Sequence, residues 1–297
     1  MQDSELVADL QRAFPGFSVA SYRPLGEGWM SRALLLNETH VARFAKSEAA
    51  SSDLLKEAAV LPLIGRHVSL AVPRFELCGA RPGGLRFVVY PLLPGEPMLE
   101  ALGPLEAKVQ ERLAEQLAAF ISELQSLPVH ALEPLGLEAT DLRAELAADR
   151  EAWGRCEQEL PTEVFRYVLQ RFDRYLADRS FHSAEVRFIH ADLSPDHWLF
   201  DARRGELTGI IDFGDCELGD PDYEYLYLLE DAGEAFTRRV LERQGARDIE
   251  ERLRKLRYLV TFDHASGVLA SARYGKPEWR EECLAALQEE RIGAAEG

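Results

Sequence analysis

The chain has 297 residues with a 46% hydrophobic content, enough to bury a sizeable core in one large or two modest domains and too much for a disordered chain. Its formal net charge of −17 argues against a nucleic-acid partner, because phosphate binding needs a basic surface; such a field would favour a polycationic small molecule, though acidity that serves only solubility is the commoner reason for it. No apolar run approaches the roughly 18 residues of a membrane span, no basic-then-apolar leader opens the chain, and the scattered cysteines form no Cys-x-x-Cys pair, so a cytoplasmic location is expected and no oligomer is implied.

The spacing of Leu6, Val7, Leu10 and Phe14 predicts a helix over 4–14, capped by Ser4 and stopped by Pro15-Gly16. Strands are predicted over 18–25, 32–36 and 40–45. The first two are joined by Gly26-Glu-Gly28-Trp-Met-Ser31, whose glycines allow a backbone to approach phosphates closely. This is not the strand-to-helix fingerprint of a dinucleotide fold, because a strand follows it. A helix over 53–64, capped by Ser52, carries Leu54, Leu55, Ala58 and Leu61 on its apolar face and Glu57 within it. Strands over 72–78 and 85–91 meet at the turn Arg81-Pro-Gly-Gly84. Pro91, Pro94, Gly95 and Pro97 then break regular structure and mark a hinge at 92–97 between a lobe over 1–91 and one over 98–297.

Beyond the hinge the pattern turns helical, over 105–127, 141–153 and 162–179. A strand over 186–189 opens the richest stretch, and a hairpin pairs 198–200 with 207–211. Asp220-Pro221 reads as a helix start, and further helices are expected over 240–243, 249–268 and 277–291. The fold class is α+β and two-lobed, with a small strand-rich N-terminal lobe and a larger, mainly helical C-terminal lobe holding an embedded hairpin. A cleft between such lobes is a natural ligand site.

Phosphoryl transfer to a hydroxyl needs a carboxylate to take or orient the acceptor proton, a divalent metal on the nucleotide phosphates, a cation and a covering loop. Asp192, close behind the strand at 186–189, suits the first role. Asp212, at the end of the hairpin, suits a hard cation such as magnesium. His197 is an unusual magnesium ligand on chemistry alone, and His190 reads as a backbone-bonding core histidine.

The run Ile189-His-Ala-Asp-Leu-Ser-Pro-Asp-His197, the run Gly209-Ile-Ile-Asp-Phe-Gly-Asp215 and the run Tyr227-Leu-Leu-Glu-Asp231 resemble the aminoglycoside phosphotransferase branch of the protein-kinase-like fold. They look most similar to the aminoglycoside 2''-phosphotransferases, and the order of parts matches over nearly the whole chain. The resemblance implies Asp192 as catalytic base or orienter and His197 and Asp212 as holders of Mg2+. It implies Gly26, Gly28 and Ser31 over the phosphates of ATP or GTP, and Glu57 as partner of a phosphate-binding cation. Tyr90, Leu92 and Leu93 would belong to the linker that reads the purine edge. The cation position holds Arg43, where a lysine is common; arginine can still pair with Glu57 and a phosphate. Lys46 falls on the opposite face by strand alternation.

Only a few residues separate Asp212 from Asp220, and no Ala-Pro-Glu follows, so a peptide-binding activation segment has no room. A small acceptor is expected. Asp196, Asp215, Glu217, Asp222, Glu224, Glu230 and Asp231 supply acid near the site; the resemblance points most to Asp215, Glu230 and Asp231 for substrate ammonium groups, and Asp192 and Asp196 complete the expected substrate site. The expected activity is O-phosphorylation of an aminoglycoside, the 2''-hydroxyl favoured, conferring antibiotic resistance. A kinase of another small alcohol such as a macrolide, and a weakly active nucleotide-binding pseudoenzyme, are the alternatives.

Overall fold

A computed structural model describes residues 2–98, 105–137, 139–182 and 185–296. The chain opens with α1 (Asp3–Ala13). Gln2 takes the cap position expected for Ser4, its N–H donating to Glu5 Oε2 (3.3 Å). Five strands follow: β1 (Tyr22–Glu27), β2 (Ser31–Leu36), β3 (His40–Ala45), β4 (Leu77–Ala80) and β5 (Arg86–Pro91). They form an antiparallel sheet in the order β1-β2-β3-β5-β4.

Alternation along the strands sends Leu34, Leu36, Ala42, Phe44, Phe87 and Val89 to the face covered by Leu6, Val7 and Leu10 of α1. The other face, with Leu35, Val41, Ala45, Val88 and Tyr90, packs on Ala50 and Leu54 of α2 (Glu48–Ile64). The same period puts Arg43 on the α2 side. Ser47, not Ser52, caps α2, its Oγ accepting from Ala50 N–H (3.2 Å), and Leu55 is exposed instead of facing the core. Gly26 and Glu27, expected in the turn, pair with Ala33 and Arg32 inside the β1–β2 ladder, so the turn is tighter than its sequence suggests.

The larger lobe contains α3 (Ala107–Gln125), α4 (Val129–Leu132), α5 (Leu142–Gly154), α6 (Thr162–Ala177), α7 (Leu226–Ala232), α8 (Glu234–Arg243), α9 (Ile249–Tyr274) and α10 (Pro277–Glu296). Leu113, Leu117, Phe120, Ile121 and Leu124 of α3 are buried, as their spacing predicts. A three-stranded sheet joins β6 (Glu96–Pro97), β8 (Trp198–Asp201) and β9 (Glu206–Ile210). The strand β7 (Arg187–Ile189) pairs with β10 (Glu217–Gly219), a strand the sequence reading did not anticipate. Among the described residues no helix is long and apolar enough to cross a membrane.

The cores do not divide at residue 91. Val60, Leu61 and Ile64 from the second half of α2, and Leu70 and Val72 beyond it, sit in the core of the helical lobe. This also explains why the strand expected from Val72 begins only at Leu77. Ala71 bridges Gly209, and Ile210 N–H donates to the Ala71 carbonyl (2.8 Å). The far end of the expected hinge is equally tied down: Glu96 and Pro97 pair with Phe200 and Leu199.

The helix expected at Asp220-Pro221 starts only at Leu226. Lys255 Nζ holds both Asp220 carboxylate oxygens (2.7 and 2.6 Å), and Asp220 Oδ1 also accepts from Asp222 N–H (3.0 Å). That closes a side-chain turn instead of a helix cap.

Candidate active site

Two short antiparallel pairs bring the reactive stretch together. β7 runs into His190-Ala-Asp192, and β9 runs into Asp212. His190 ties the two ends. It is fully buried, its Nε2–H donates to the Ile211 carbonyl (3.0 Å), and its Nδ1 accepts from Asp192 N–H (3.3 Å). Burial, reinforced by the nearby His197, lowers its pKa to about 3, so the ring is a neutral structural link, as the sequence suggested.

The loop between them is held under strain. Ala191 (φ 64°) and Asp212 (φ 65°) both occupy the left-handed region, which costs a residue with a Cβ. Glu224 is what secures Ala191: its carboxylate accepts from His190 N–H (2.7 Å) and from the Ala191 backbone. Glu224 is itself buried, and burial pushes its pKa up to about 8. Counted by sequence among acids near the cleft, it instead supports the loop from behind. Asp222 faces away as well, paired with Arg252 (2.6 Å) and Lys255 (2.9 Å).

A pH test of Glu224 follows. The unfolded carboxyl titrates near 4.5 and the folded one near 8. Between those values the folded chain keeps a proton that the unfolded chain has released, so this group makes stability fall as pH rises, by about 1.4 kcal/mol per pH unit. The Glu224→Gln variant keeps a carbonyl oxygen to accept both N–H groups and removes the titration. Urea midpoints at about pH 5, 6.5 and 8 should therefore decline less steeply than in the wild type; parallel curves would rule out the buried-acid assignment.

Asp192 lies beside His197, whose Nδ1–H donates to the Asp192 carbonyl (2.9 Å) and is 3.4 Å from Asp192 Oδ2. Burial raises the Asp192 carboxyl, Asp215, Asp212 and Asp196 push the same way, and His197 opposes them. Because Nδ1 carries the proton, the lone pair of His197 is on Nε2, 3.8 Å from Asp212 Oδ2 and 3.9 Å from Asp196 Oδ2. Burial disfavours the charged ring, yet Asp192 and Asp212 outweigh it and raise the His197 pKa. The pair His197 Nε2 and Asp212 Oδ2 thus presents one nitrogen and one oxygen donor at a spacing that a cation can bridge. Among the described residues no group of three or more His, Cys, Asp or Glu side chains could hold a metal. Two protein donors suit Mg2+, which takes its other positions from phosphates and water.

Arg43 joins the lobes. Its Nη1 donates to Glu57 Oε2 (2.9 Å) and its Nη2 to Asp212 Oδ1 (2.8 Å). Burial works against its charge, but the two carboxylates raise its pKa further. Glu57 is fully buried and its Oε1 has no hydrogen-bond partner; burial pushes its carboxyl up to about 7 despite Arg43. Asp212 is held below its usual range, because Arg43 and His197 outweigh the effect of burial. Lys46 serves elsewhere: its Nζ donates to the Gly28 carbonyl (2.7 Å) and pairs with Glu27 (2.9 Å).

The linker differs from expectation in two places. Tyr90 is inside β5 opposite Val41, buried against Phe75. The Leu92 N–H donates to the Thr39 carbonyl (2.8 Å) and is not available to a ligand.

Behind Asp192 a cavity of about 400 Å3 opens between α5, α7 and α9. Six carboxylates line it, those of Glu145, Asp149, Asp192, Asp215, Glu217 and Asp263, with Tyr223, Tyr227 and Phe262 and no Lys, Arg or His. Tyr227 Oη–H donates to Asp263 Oδ1 (3.2 Å), and Thr140 Oγ1–H donates to Glu217 Oε2 (2.8 Å). Burial, with Glu230 nearby, pushes the Asp263 carboxyl up to about 6. Asp192 and Asp215 were expected here. Glu145, Asp149 and Asp263 were not; the only local sign is the unrelieved like-charge pair Glu145 and Asp149, four residues apart on one helix face.

Asp196, Glu230 and Asp231 are not part of that lining. Ser194 Oγ–H donates to Asp196, and Asp231 is exposed. Glu230 is not a free acid: His264 Nε2 binds its Oε1 (2.7 Å), while His264 Nδ1 binds Glu290 Oε1 (2.7 Å).

A sequence profile of the phosphotransferase enzyme family matches residues 21–259. The GDP complex of wild-type aminoglycoside 2'-phosphotransferase-IIIa is 35% identical, with 99% of this chain and 100% of that chain covered and a TM-score of 0.95. The GDP and kanamycin complex of APH(2")-IIIa is 35% identical over 97% of this chain and 98% of that one, with a TM-score of 0.92. Macrolide 2'-phosphotransferase type I, at 22% identity over 96% of each chain and a TM-score of 0.76, shares the fold. A curated relative, uncharacterized protein YcbJ of Bacillus subtilis (strain 168), is 25% identical over 166 residues; the match spans 52% of this chain and only about half of that relative, 52% of its length. With its two lobes, its Arg43–Glu57–Asp212 bridge and its Asp192 loop, the chain belongs to the phosphotransferase enzyme family and has the family's kinase-like fold.

Proposed function

We propose that this protein transfers the γ-phosphate of ATP or GTP to a hydroxyl of an aminoglycoside, the 2''-hydroxyl favoured, and so confers resistance to the antibiotic. The observation that carries this reading is the cavity beside Asp192, walled by six carboxylates and lacking any basic residue. A polycation gains from each of them, whereas a macrolide, apolar with one amine, would leave most of them desolvated and unpaired. A relative 35% identical is a complex with GDP and kanamycin, which supports both halves of the reading. Four free cysteines suit a cytoplasmic enzyme.

The geometry supports one assignment of roles. Asp192 orients the acceptor hydroxyl and takes its proton. Arg43, held by Glu57, neutralises the phosphates. Asp212 and His197 Nε2 would hold Mg2+, which when bound offsets the charge on the transferring phosphoryl oxygens. The turn bearing Gly26, Gly28 and Ser31 covers the phosphates. A Cβ at Gly26 would meet nothing within 4 Å, so the protein's own packing does not require glycine there. The Leu93 N–H takes the purine-reading role first assigned to Tyr90, Leu92 and Leu93 together. Asp215 is the substrate acid retained from the sequence reading, and Glu145, Asp149, Glu217 and Asp263 join it. Asp196 and Asp231 lie outside that wall, with Asp196 3.9 Å from His197 Nε2.

The test is nucleoside diphosphate release by the purified protein, with ATP or GTP against kanamycin and against a macrolide. Release with kanamycin alone supports the proposal; release with the macrolide alone overturns it. Glu145→Gln and Asp149→Asn should each raise the kanamycin KM about tenfold, the size of one charge-assisted contact, with kcat within about twofold. Unchanged KM in both would show that the acid wall is a solvated surface.

A further inference from the structure

Trp29, at the tip of the turn between β1 and β2, reaches the opposite lobe. Its ring meets Trp279 edge-on (centroids 4.8 Å apart, planes at 70°) and Tyr274 likewise (6.4 Å, 81°). Lys276 Nζ sits over the same ring, 4.7 Å from its centroid. Tyr274 and Trp279 also touch each other, at 6.3 Å. All three partners belong to the corner that joins α9 to α10.

That corner is a fixed support. Gly275 turns the chain in the left-handed region (φ 64°), and Lys276 N–H caps the Ser271 carbonyl (3.0 Å). A Cβ at Gly267 would fall 2.5 Å from Cys283 Sγ and 3.2 Å from the Trp279 ring, so α10 lies directly on α9 and the indole cannot swing inward. The turn is anchored from its own side by Lys46 on the Gly28 carbonyl and Glu27. Trp29 supplies a second anchor from across the cleft.

We infer that Trp29, Tyr274, Trp279 and Lys276 form an interlobe clasp that positions the glycine turn over the donor phosphates. This rests on the reading of that turn as a phosphate cover. Trp29 and Tyr274 are each 54% exposed, so neither fills a core, and what Trp29 gains comes from the contact itself. Edge-on rings and one cation–π contact are individually weak. The clasp therefore opens readily for nucleotide exchange and closes without locking. Trp29 is a positioning residue here: it acts through the backbone of the turn and touches no reacting atom.

The test uses the full-length protein and a fluorescent N-methylanthraniloyl nucleotide with Mg2+, with no acceptor present. Trp29→Ala and Tyr274→Ala should each weaken probe binding by about three- to tenfold, the scale of one or two such contacts. The double variant should be no weaker than the worse single, because both changes break one clasp. Trp29→Phe should bind within about twofold of wild type, and melting temperatures should not move. Losses that multiply in the double variant, or probe affinity unchanged in Trp29→Ala, overturn the clasp. A wild type that does not bind the probe overturns the reading of the turn itself, and with it the clasp.

Discussion

Asp192→Asn is expected to keep nucleotide affinity and to lower kcat by about 100- to 10,000-fold, the range of a lost general base. Asp192 sits where two constraints meet. His197 fixes the loop from one side through the Asp192 carbonyl, and the Glu224 carboxylate fixes it from the other through His190 and Ala191. The side chain is therefore aimed by the backbone, with His197 Nδ1 3.4 Å from its Oδ2. An amide at this position has the same shape and can still accept a hydrogen bond from the acceptor hydroxyl, but it cannot take the proton. Asp192→Ala removes both abilities. Equal losses in the two variants would assign the residue's contribution to proton acceptance; a much smaller loss in the Asn variant would assign it to orientation, as a loose phosphoryl transition state allows. Single-turnover transfer with bound nucleotide measures the chemical step directly. Near-normal turnover in both variants would sink the assignment of Asp192 altogether.

The parts of this site that were legible in the sequence are those written in short runs. Asp192 follows β7, His197 directly precedes β8 and Asp212 follows β9; the β8–β9 pairing sets His197 against Asp212, and the short loop from Asp192 to His197 keeps the third residue close. Arg43 and Glu57 were legible through the resemblance, strand alternation setting Lys46 on the other face, and their contact at 2.9 Å follows from packing α2 on the sheet. The acid wall was not legible. Glu145, Asp149 and Asp263 reach the cavity from α5 and α9, more than a hundred residues apart in the chain, and only tertiary packing sets that meeting. Conversely, nearness in sequence misled for Asp222 and Glu224. The Lys255–Asp220 pair makes a turn of what reads as a helix start, and that turn points Asp222 away from the cleft onto Lys255 and Arg252 and Glu224 into the core. Core packing crosses the expected lobe boundary for a similar reason. The apolar face of α2 runs past the edge of its own sheet, and its last turns, with Leu70 and Val72, complete the other lobe's core.

Arg43→Met carries the second large effect, and it separates stability from catalysis. Arg43 is 9% exposed, and its fork is shared between Glu57, which is fully buried, and Asp212. Removing it strands the Glu57 carboxylate, whose Oε1 already lacks a partner, in an apolar setting. Breaking a buried pair from one side costs about 3–5 kcal/mol, and a urea midpoint at constant m measures it. Activity should fall by at least about 100-fold, since a phosphate-facing cation is lost as well. Arg43→Lys keeps the charge but not the planar fork, so one ammonium must serve both carboxylates. A loss of about tenfold in kcat/KM for the nucleotide is expected, with most of the stability retained. The double variant Arg43→Met with Glu57→Gln decides between the two functions. Neutralising the stranded acid should recover much of the stability, because no buried charge is left unpaired. It should recover none of the activity, because the cation at the phosphates is still missing. If activity returns together with stability, Arg43 does no more than neutralise Glu57, and the phosphate charge must be met by another group.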